Sequence, residues 1–358
     1  MKIMCFIDSL GSGGAQRQIV GLSCLLYYRG FEVIVASYHN DNFYQDILNK
    51  NNIEYVKIYA NNKLSKIIKT YLTIRHIKPE YIISYLDGPN IITCLLHSFL
   101  SKKIKLIVSE RNTTQTLTVK EYLKFFLYNW ADIIVANSIS QTEYITKNFK
   151  FLSKKITTIT NFVDTSFFIP TEKKQDLTTN KTLHLLVVAR ICEQKNVIRF
   201  IHAIKLVTDK IPISVDWYGE AYSKNYYNQC LNLISSLGLK ECLRFHKAEK
   251  DVVTLYQNAD IFCLPSVYEG FPNVVCEAMS CGLPILCGDI CDNPAIVHDN
   301  INGILFDPLS VTDIANSILK YWELPPKQKN EMRKLSRKFA ESYFSPDIFV
   351  EKYIKLLR

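Results

Sequence analysis

The stretch IFCLPSVYEGFPNVVCEAMSCGLPILC, from Ile261 to Cys287, carries the plan of the whole chain. Ile261–Leu264 is apolar at every position, which suits a strand buried on both faces. A loop with Glu269, Gly270 and Pro272 follows, and then a helix. Pro272 or Asn273 fits the first positions of that helix, since proline has no N–H to leave unpaired there, and Gly282 fits its end. Pro284–Cys287 reads as the next strand. Two strands joined through a helix, with no hairpin turn between them, require a crossover connection. Crossovers build parallel sheets covered by helices on both sides.

Working outward, the same alternation recurs. Lys2–Ile7 is a strand, and Ala15, Ile19, Leu22 and Leu26 follow at helical spacing up to Gly30. Strands are expected at Glu32–Ser37, Tyr81–Tyr85, Lys105–Ser109 and Ile133–Asn137. The pattern lapses from Thr165 to Thr182 and restarts with the strongly apolar Leu183–Ala189. Ile213–Tyr218 and Leu243–Phe245 continue it, and the chain closes in helical stretches at Val311–Trp322, Lys327–Tyr343 and from Ile348. The expectation is two facing, doubly wound, Rossmann-like α/β domains with a cleft between them. They span residues 1–165 and 183–340, joined by a linker at 166–182. A C-terminal helical segment, 341–358, can pack back on the first domain.

Composition supports a folded globular protein, with 48% hydrophobic and 22% charged residues in 358. Eleven cysteines occur without a C-x-x-C pair or a Cys/His cluster, so they read as inert thiols of a reducing compartment. The start, Met1 to Asp8, turns polar too soon for a secretory signal, and no apolar run nears the roughly 18 residues of a membrane span. Net charge is +9, and its placement is uneven: residues 1–165 hold 20 Lys and Arg against 12 Asp and Glu. Such one-sided charge points to an anionic partner for the first half, either a phosphorylated substrate or an acidic lipid surface. Nucleic acid is disfavoured because no recognised binding motif accompanies the charge.

Three segments carry chemistry. The first strand runs into Gly11-Ser-Gly-Gly-Ala15 and then directly into a helix, where Gly13 and Gly14 let a ligand approach backbone N–H groups. A dinucleotide-binding fingerprint would need a third glycine where Gln16 stands, and an acid at the end of the second strand, which instead reads Ala36-Ser-Tyr-His39. In the second half, Arg190 closes a strand and Lys195 follows five residues later; a guanidinium fork and an ammonium can together neutralise a diphosphate. Glu269 and Glu277 flank the helix start described above and can hold sugar hydroxyls. A structural reading competes for each: a tight turn, a strand-end arginine with a surface lysine, and acids that merely favour a helix N-terminus.

Taken together, these motifs resemble the large retaining glycosyltransferase family 4 (group 1), whose members have the GT-B fold. The resemblance runs along nearly the whole chain. Its most specific element is the E-x₇-E signature, met by Glu269 and Glu277. Arg190 and Lys195 fall on the family's diphosphate-binding pair, and Gly13 and Gly14 on its N-terminal glycine loop. The resemblance implies catalytic roles for Glu269, Arg190 and Lys195. It implies donor binding by Glu277, Gly219, Glu220 and the segment Gly270, Phe271, Pro272, Asn273 and Val274. Where many members carry a histidine near the donor sugar, this chain has Ser109-Glu-Arg-Asn112, so Arg111 or Asn112 takes that place. Asn161-Phe-Val-Asp164 resembles the family's Asn-Gly-Val-Asp stretch, with Phe162 for the usual glycine.

The implied activity is transfer of a sugar from a UDP- or GDP-linked donor to a saccharide acceptor, lipid-linked in surface polysaccharide or glycan assembly. The domain at residues 1–165 is expected to bind the acceptor, and that at 183–340 the nucleotide sugar. No cofactor is implied. No Asp-x-Asp anchors a metal, so metal-independent chemistry is expected. The expected location is the cytoplasm, peripheral on the inner face of the membrane. A sugar-nucleotide epimerase of the same architecture and a noncatalytic sugar-nucleotide-binding protein are the competing readings.

Overall fold

A computed structural model describes residues 1–114, 116–171, 182–249 and 251–358. Most of the linker expected at 166–182 therefore lies outside the described residues. The chain forms two compact units, one comprising Met1–Phe162 with Pro346–Arg358 and the other Val163–Ser345.

In the first unit, β1 (Lys2–Phe6), α1 (Gly14–Tyr28), β2 (Glu32–Ser37), α2 (Gln45–Lys50), β3 (Glu54–Lys57) and α3 (Lys63–Ile77) come first. They are followed by β4 (Tyr81–Tyr85), α4 (Asp87–His97), β5 (Lys105–Glu110), α5 (Val119–Tyr128), β6 (Ile133–Ala136), α6 (Ile139–Asn148) and β7 (Ile156–Thr158). The seven strands are ordered β3-β2-β1-β4-β5-β6-β7 and pair in parallel throughout. Strand order reverses at β1, so helices preceding β3 cover one face and α3–α6 the other. Ile19, Leu22 and Leu26 of α1 and Leu48 of α2 pack on the first face; Ile74, Ile92, Phe125 and Ile145 pack on the second.

The second unit contains β8 (Leu183–Val188), α7 (Val197–Thr208), β9 (Ile213–Tyr218), α8 (Lys224–Ser236), β10 (Leu243–His246), α9 (Val252–Asn258) and β11 (Ile261–Leu264). It continues with α10 (Asn273–Ser280), β12 (Ile285–Gly288), α11 (Asn293–Ile296), β13 (Gly303–Phe306), α12 (Val311–Glu323) and α13 (Pro326–Phe344). Its six strands are ordered β10-β9-β8-β11-β12-β13, again all parallel. The order reverses between β8 and β11. Open α/β sheets bind ligands at such a switch point, outside the carboxyl ends of the strands.

The last helix, α14 (Pro346–Leu356), belongs to the first unit. Phe349, Val350 and Tyr353 sit in the core with α1, and Arg29 at the end of α1 pairs with Asp347 at 2.7 Å and with Glu351. The E-x₇-E helix, α10, begins at Asn273 after Pro272 and ends at Ser280, with Cys281 and then Gly282 following, the latter at φ +76°. That left-handed backbone explains the glycine, because a Cβ there would be strained.

Candidate active site

The carboxyl ends of β8 and β11 place two loops side by side. From β8 the chain passes Ala189 and Arg190, makes a 3₁₀ turn at Glu193–Lys195, and enters α7 through Asn196. Asn196 has φ +59°, a conformation that asparagine tolerates better than most side chains. Its amide nitrogen donates to the carbonyls of Pro265 and Pro308, at 3.0 and 2.6 Å. Val267 N–H donates to the Gln194 carbonyl at 3.0 Å, and Gln194 Nε2 donates to the Tyr268 carbonyl at 2.9 Å. Sequence-distant loops are thus zipped together, and Lys195 Nζ meets Glu269 Oε1 in a buried ion pair. The pairing is forced by the strand order, since β8 and β11 are neighbours.

Arg190 stays outside this pair. It is exposed, its guanidinium lies 5.8 Å from the ring centre of Tyr222, and it makes no ion pair among the described residues. Glu277, one turn into α10, is buried; its Oε2 accepts a hydrogen bond from the Tyr256 hydroxyl of α9 at 3.1 Å. Between the two acids, Phe271 is buried and its ring meets Phe344 edge to face at 5.6 Å. Pro272 caps the start of α10, with Asn273 and Val274 in its first turn and Gly270 partly exposed ahead of it.

Gly219 follows β9 and lies against the end of β8. A Cβ there would stand 2.0 Å from the Ala189 carbonyl oxygen, which no side chain permits. The same carbonyl accepts the Trp217 Nε1–H at 2.7 Å, and Gly219 N–H donates to the His246 carbonyl at 3.1 Å. Glu220 is exposed, with its carboxylate accepting Ala248 N–H at 3.3 Å. Beside them, His246 pairs with Asp216 at 2.7 Å and stacks on Tyr218 at 4.4 Å, a cluster the sequence reading missed. Cys291 was missed too. It carries φ +48°, and burial is the main cause that pushes its thiol up, opposed by the nearby Glu269 backbone.

The first unit holds the remaining candidates. Gly13 and Gly14 are exposed at the start of α1, with no side chain capping the helix. Asp8 borders this loop and accepts from Ser9 N–H at 2.6 Å and Gln16 Nε2 at 3.1 Å. A carboxylate there weakens the glycine loop as an anion cradle taken alone. Arg111 and Asn161 are brought together: Nη1 donates to Asn161 Oδ1 at 2.5 Å and Nη2 to the Tyr353 hydroxyl of α14 at 2.8 Å. The guanidinium also lies 4.0 Å over the Tyr85 ring. Both terminal nitrogens are therefore engaged, and one of them anchors α14. Asn112 is exposed, and its N–H donates to Glu110 Oε1 at 3.1 Å.

Glu110 is the other residue that sequence reasoning passed over. It is fully buried, and its carboxyl is pushed above the usual range by burial, which the adjacent Lys124 ammonium opposes. Lys124 Nζ lies 3.1 Å from Glu110, 2.6 Å from Glu121 and 3.5 Å from Asp87, and the Tyr128 hydroxyl donates to Glu110 at 3.1 Å. This network holds the loop between β5 and α5.

Comparison with known proteins agrees with the geometry. The family described as Glycosyl transferases group 1 matches residues 168–339, and Glycosyltransferase Family 4 matches residues 12–167. The chain belongs to this glycosyltransferase family. Among relatives of this glycosyltransferase is an N-acetylgalactosamine-N,N'-diacetylbacillosaminyl-diphospho-undecaprenol 4-alpha-N-acetylgalactosaminyltransferase of Campylobacter jejuni. It is 26% identical over 80% of each chain. A UDP-Gal:alpha-D-GlcNAc-diphosphoundecaprenol alpha-1,3-galactosyltransferase of Escherichia coli is 28% identical over 54% of each. Among solved structures, Anabaena HepE in complex with UDP superposes with a TM-score of 0.88 at 17% identity, covering 100% of this chain and 99% of the other. That likeness concerns the fold. Two parallel-sheet α/β domains of the GT-B kind are common to both.

Proposed function

We propose that this glycosyltransferase moves a sugar from a UDP-sugar to a lipid-linked saccharide, with retention of anomeric configuration and without a metal ion. The observation that carries the reading is the buried Lys195–Glu269 pair beside the exposed, unpaired Arg190 at the switch point of the second sheet. As the donor bond breaks, negative charge grows on the leaving diphosphate and positive charge on the sugar ring. Arg190 and Lys195 offset the first, and the Glu269 carboxylate offsets the second. Glu277 on α10, whose other oxygen Tyr256 steadies, serves the ribose hydroxyls. A sequence without Asp-x-Asp leaves charge neutralisation to these side chains and to helix N-termini.

The UDP donor and lipid-linked acceptor are supported by relatives named for diphospho-undecaprenol substrates and for UDP-Gal, and by UDP in a structure of the same fold. Exposed apolar side chains of the first unit support contact with a bilayer. Val119, Tyr122, Leu123 and Phe126 follow helical spacing along the exposed side of α5, and Trp130 extends the line. Exposed Lys120, Lys147, Lys150 and Lys154 belong to the same unit. Apolar side chains with nearby lysines suit an anionic leaflet. On α3, Leu64, Ile68 and Leu72 are exposed in the same manner, while Lys66 folds over the Tyr38 ring at 3.8 Å.

The test is a thermal-shift panel of UDP, GDP, ADP and their sugars, followed by product identification on the best ligand in the presence of EDTA. Stabilisation by UDP-sugars and a glycosylated lipid-linked product with the donor's anomeric configuration are expected. An epimerised sugar nucleotide, or complete loss of activity that Mg²⁺ restores, would contradict the reading.

A further inference from the structure

Between the β8–α7 loop and the start of α8 lies a cavity of about 550 Å³, within the roughly 300–1,000 Å³ typical of small-ligand pockets. It shares Arg190 with the site above but lies on the α7 and α8 side of the strand ends, whereas Glu277 stands on α10. Its frame is rigid. Ile191 N–H donates to the Glu220 carbonyl at 2.9 Å and Tyr222 N–H to the Ile191 carbonyl at 3.1 Å, tying the β8 and β9 loops together. Gln194 ties the first of these to Val267 and Tyr268 through the two hydrogen bonds already given.

The lining is chemically distinctive. Tyr222, Tyr226 and Tyr268 supply ring surface, and Ser223, Asn225 and Gln229 supply hydroxyl and amide groups. Asn225 and Gln229 are one turn apart on α8, so their exposed amides share one face, and neither is engaged by another protein group among the described residues. The charged liners are Arg190, which the transfer reading gives to the donor diphosphate, and Glu193, and no aliphatic side chain is among the described liners. An anion would find a carboxylate in the wall, and an apolar ligand would strand the amides. A neutral molecule with many hydroxyls and C–H faces matches both the amides and the rings. Asn and Gln each donate and accept, as a hydroxyl requires, while tyrosine offers an apolar ring with a polar tip.

We propose that this cavity is a saccharide subsite, in which Asn225 and Gln229 bind the hydroxyls of one neutral sugar and Tyr222 and Tyr268 cover its ring faces. It rests on the transfer reading only in identifying that sugar as part of the acceptor. The second unit then takes part in acceptor recognition, and the fit at Asn225 and Gln229 sets which sugar is accepted.

The experiment uses the full chain labelled with 3-fluorotyrosine, with the resonances of Tyr222 and Tyr268 assigned by their loss in Tyr222→Phe and Tyr268→Phe. Methyl glycosides of glucose, galactose and their 2-acetamido derivatives are titrated with and without saturating UDP. At least one glycoside should shift both resonances saturably, with UDP present as well as absent. The Asn225→Ala/Gln229→Ala variant should bind it about tenfold more weakly and bind UDP as wild type does. No shift with any glycoside, an unchanged affinity in the double variant, or displacement of the glycoside by UDP would overturn the proposal. Failure of the wild-type protein to bind UDP would instead sink the transfer reading and leave the saccharide result standing.

Discussion

Replacing Lys195 with methionine removes the ammonium from beside Glu269 while keeping most of the side-chain volume. The Lys195 and Glu269 side chains are only 11% and 9% exposed, so the orphaned carboxylate has little water to turn to. Breaking one side of a buried pair costs about 3–5 kcal/mol, and slight solvent access places this pair near about 3 kcal/mol. Glu269→Gln alone leaves a buried ammonium and should also destabilise. The double variant removes both charges and should recover most of the loss, to within about 1 kcal/mol of wild type. Urea unfolding of the four proteins gives the coupling energy directly. UDP binding by calorimetry then separates the roles: Glu269→Gln should bind UDP nearly as wild type does yet transfer little sugar. Additive single effects, or a Lys195→Met protein within 0.5 kcal/mol of wild type, would refute the buried-pair reasoning.

Three further outcomes are expected. Lys124→Met should cost about 3–5 kcal/mol, because Glu110 beneath it is fully buried, and adding Glu110→Gln should restore much of it; thermal melts in which the single variant matches wild type would contradict this. Buried thiols make the fold sensitive to alkali. Cys94 and Cys281 are pushed from 9.0 up to about 12 by burial, so stability is full below pH 9 and falls as unfolded-state thiols ionise above it. Melting points between pH 8 and 11 should therefore drop, less steeply in Cys94→Ala, and a slope unchanged by that substitution would count against it. Val119, Leu123 and Phe126 changed together to serine should weaken binding to anionic vesicles by about tenfold or more; equal binding by the variant would remove α5 from the membrane surface.

Much of the architecture was legible because most strands are largely buried and the helices amphipathic. Tyr81–Tyr85 and Ile213–Tyr218 match their strands to the residue, and the end of α10 at Gly282 follows from glycine's backbone freedom. The strands β3, β7 and β13 went unread. The first two are short and half-exposed at sheet edges, so neither alternation nor an apolar run marks them, and β13, also at an edge, opens on Gly303 and leaves an apolar run of only three residues. The E-x₇-E acids could be found from their spacing. Their partners could not: Lys195 meets Glu269 and Tyr256 meets Glu277 through strand order, not sequence distance. Arg111 was noticed only because it falls where many family members carry a histidine, and its tie to Tyr353 arises from α14 returning to the first unit, a contact no local pattern encodes. Glu110 was hidden by the same cause, since only folding reveals that Lys124 faces it.

If the β8 loop holds the donor's diphosphate as proposed, Arg190 is the residue to change, because its exposed side chain makes no ion pair among the described residues. The measurement is the dissociation constant of UDP for wild type and Arg190→Ala at equal ionic strength. A charge-assisted hydrogen bond is worth about 1.5–3 kcal/mol, so the variant should bind UDP about 10- to 150-fold more weakly with an unchanged melting temperature. Equal affinity in a fully folded Arg190→Ala protein would place the diphosphate elsewhere and contradict the claim.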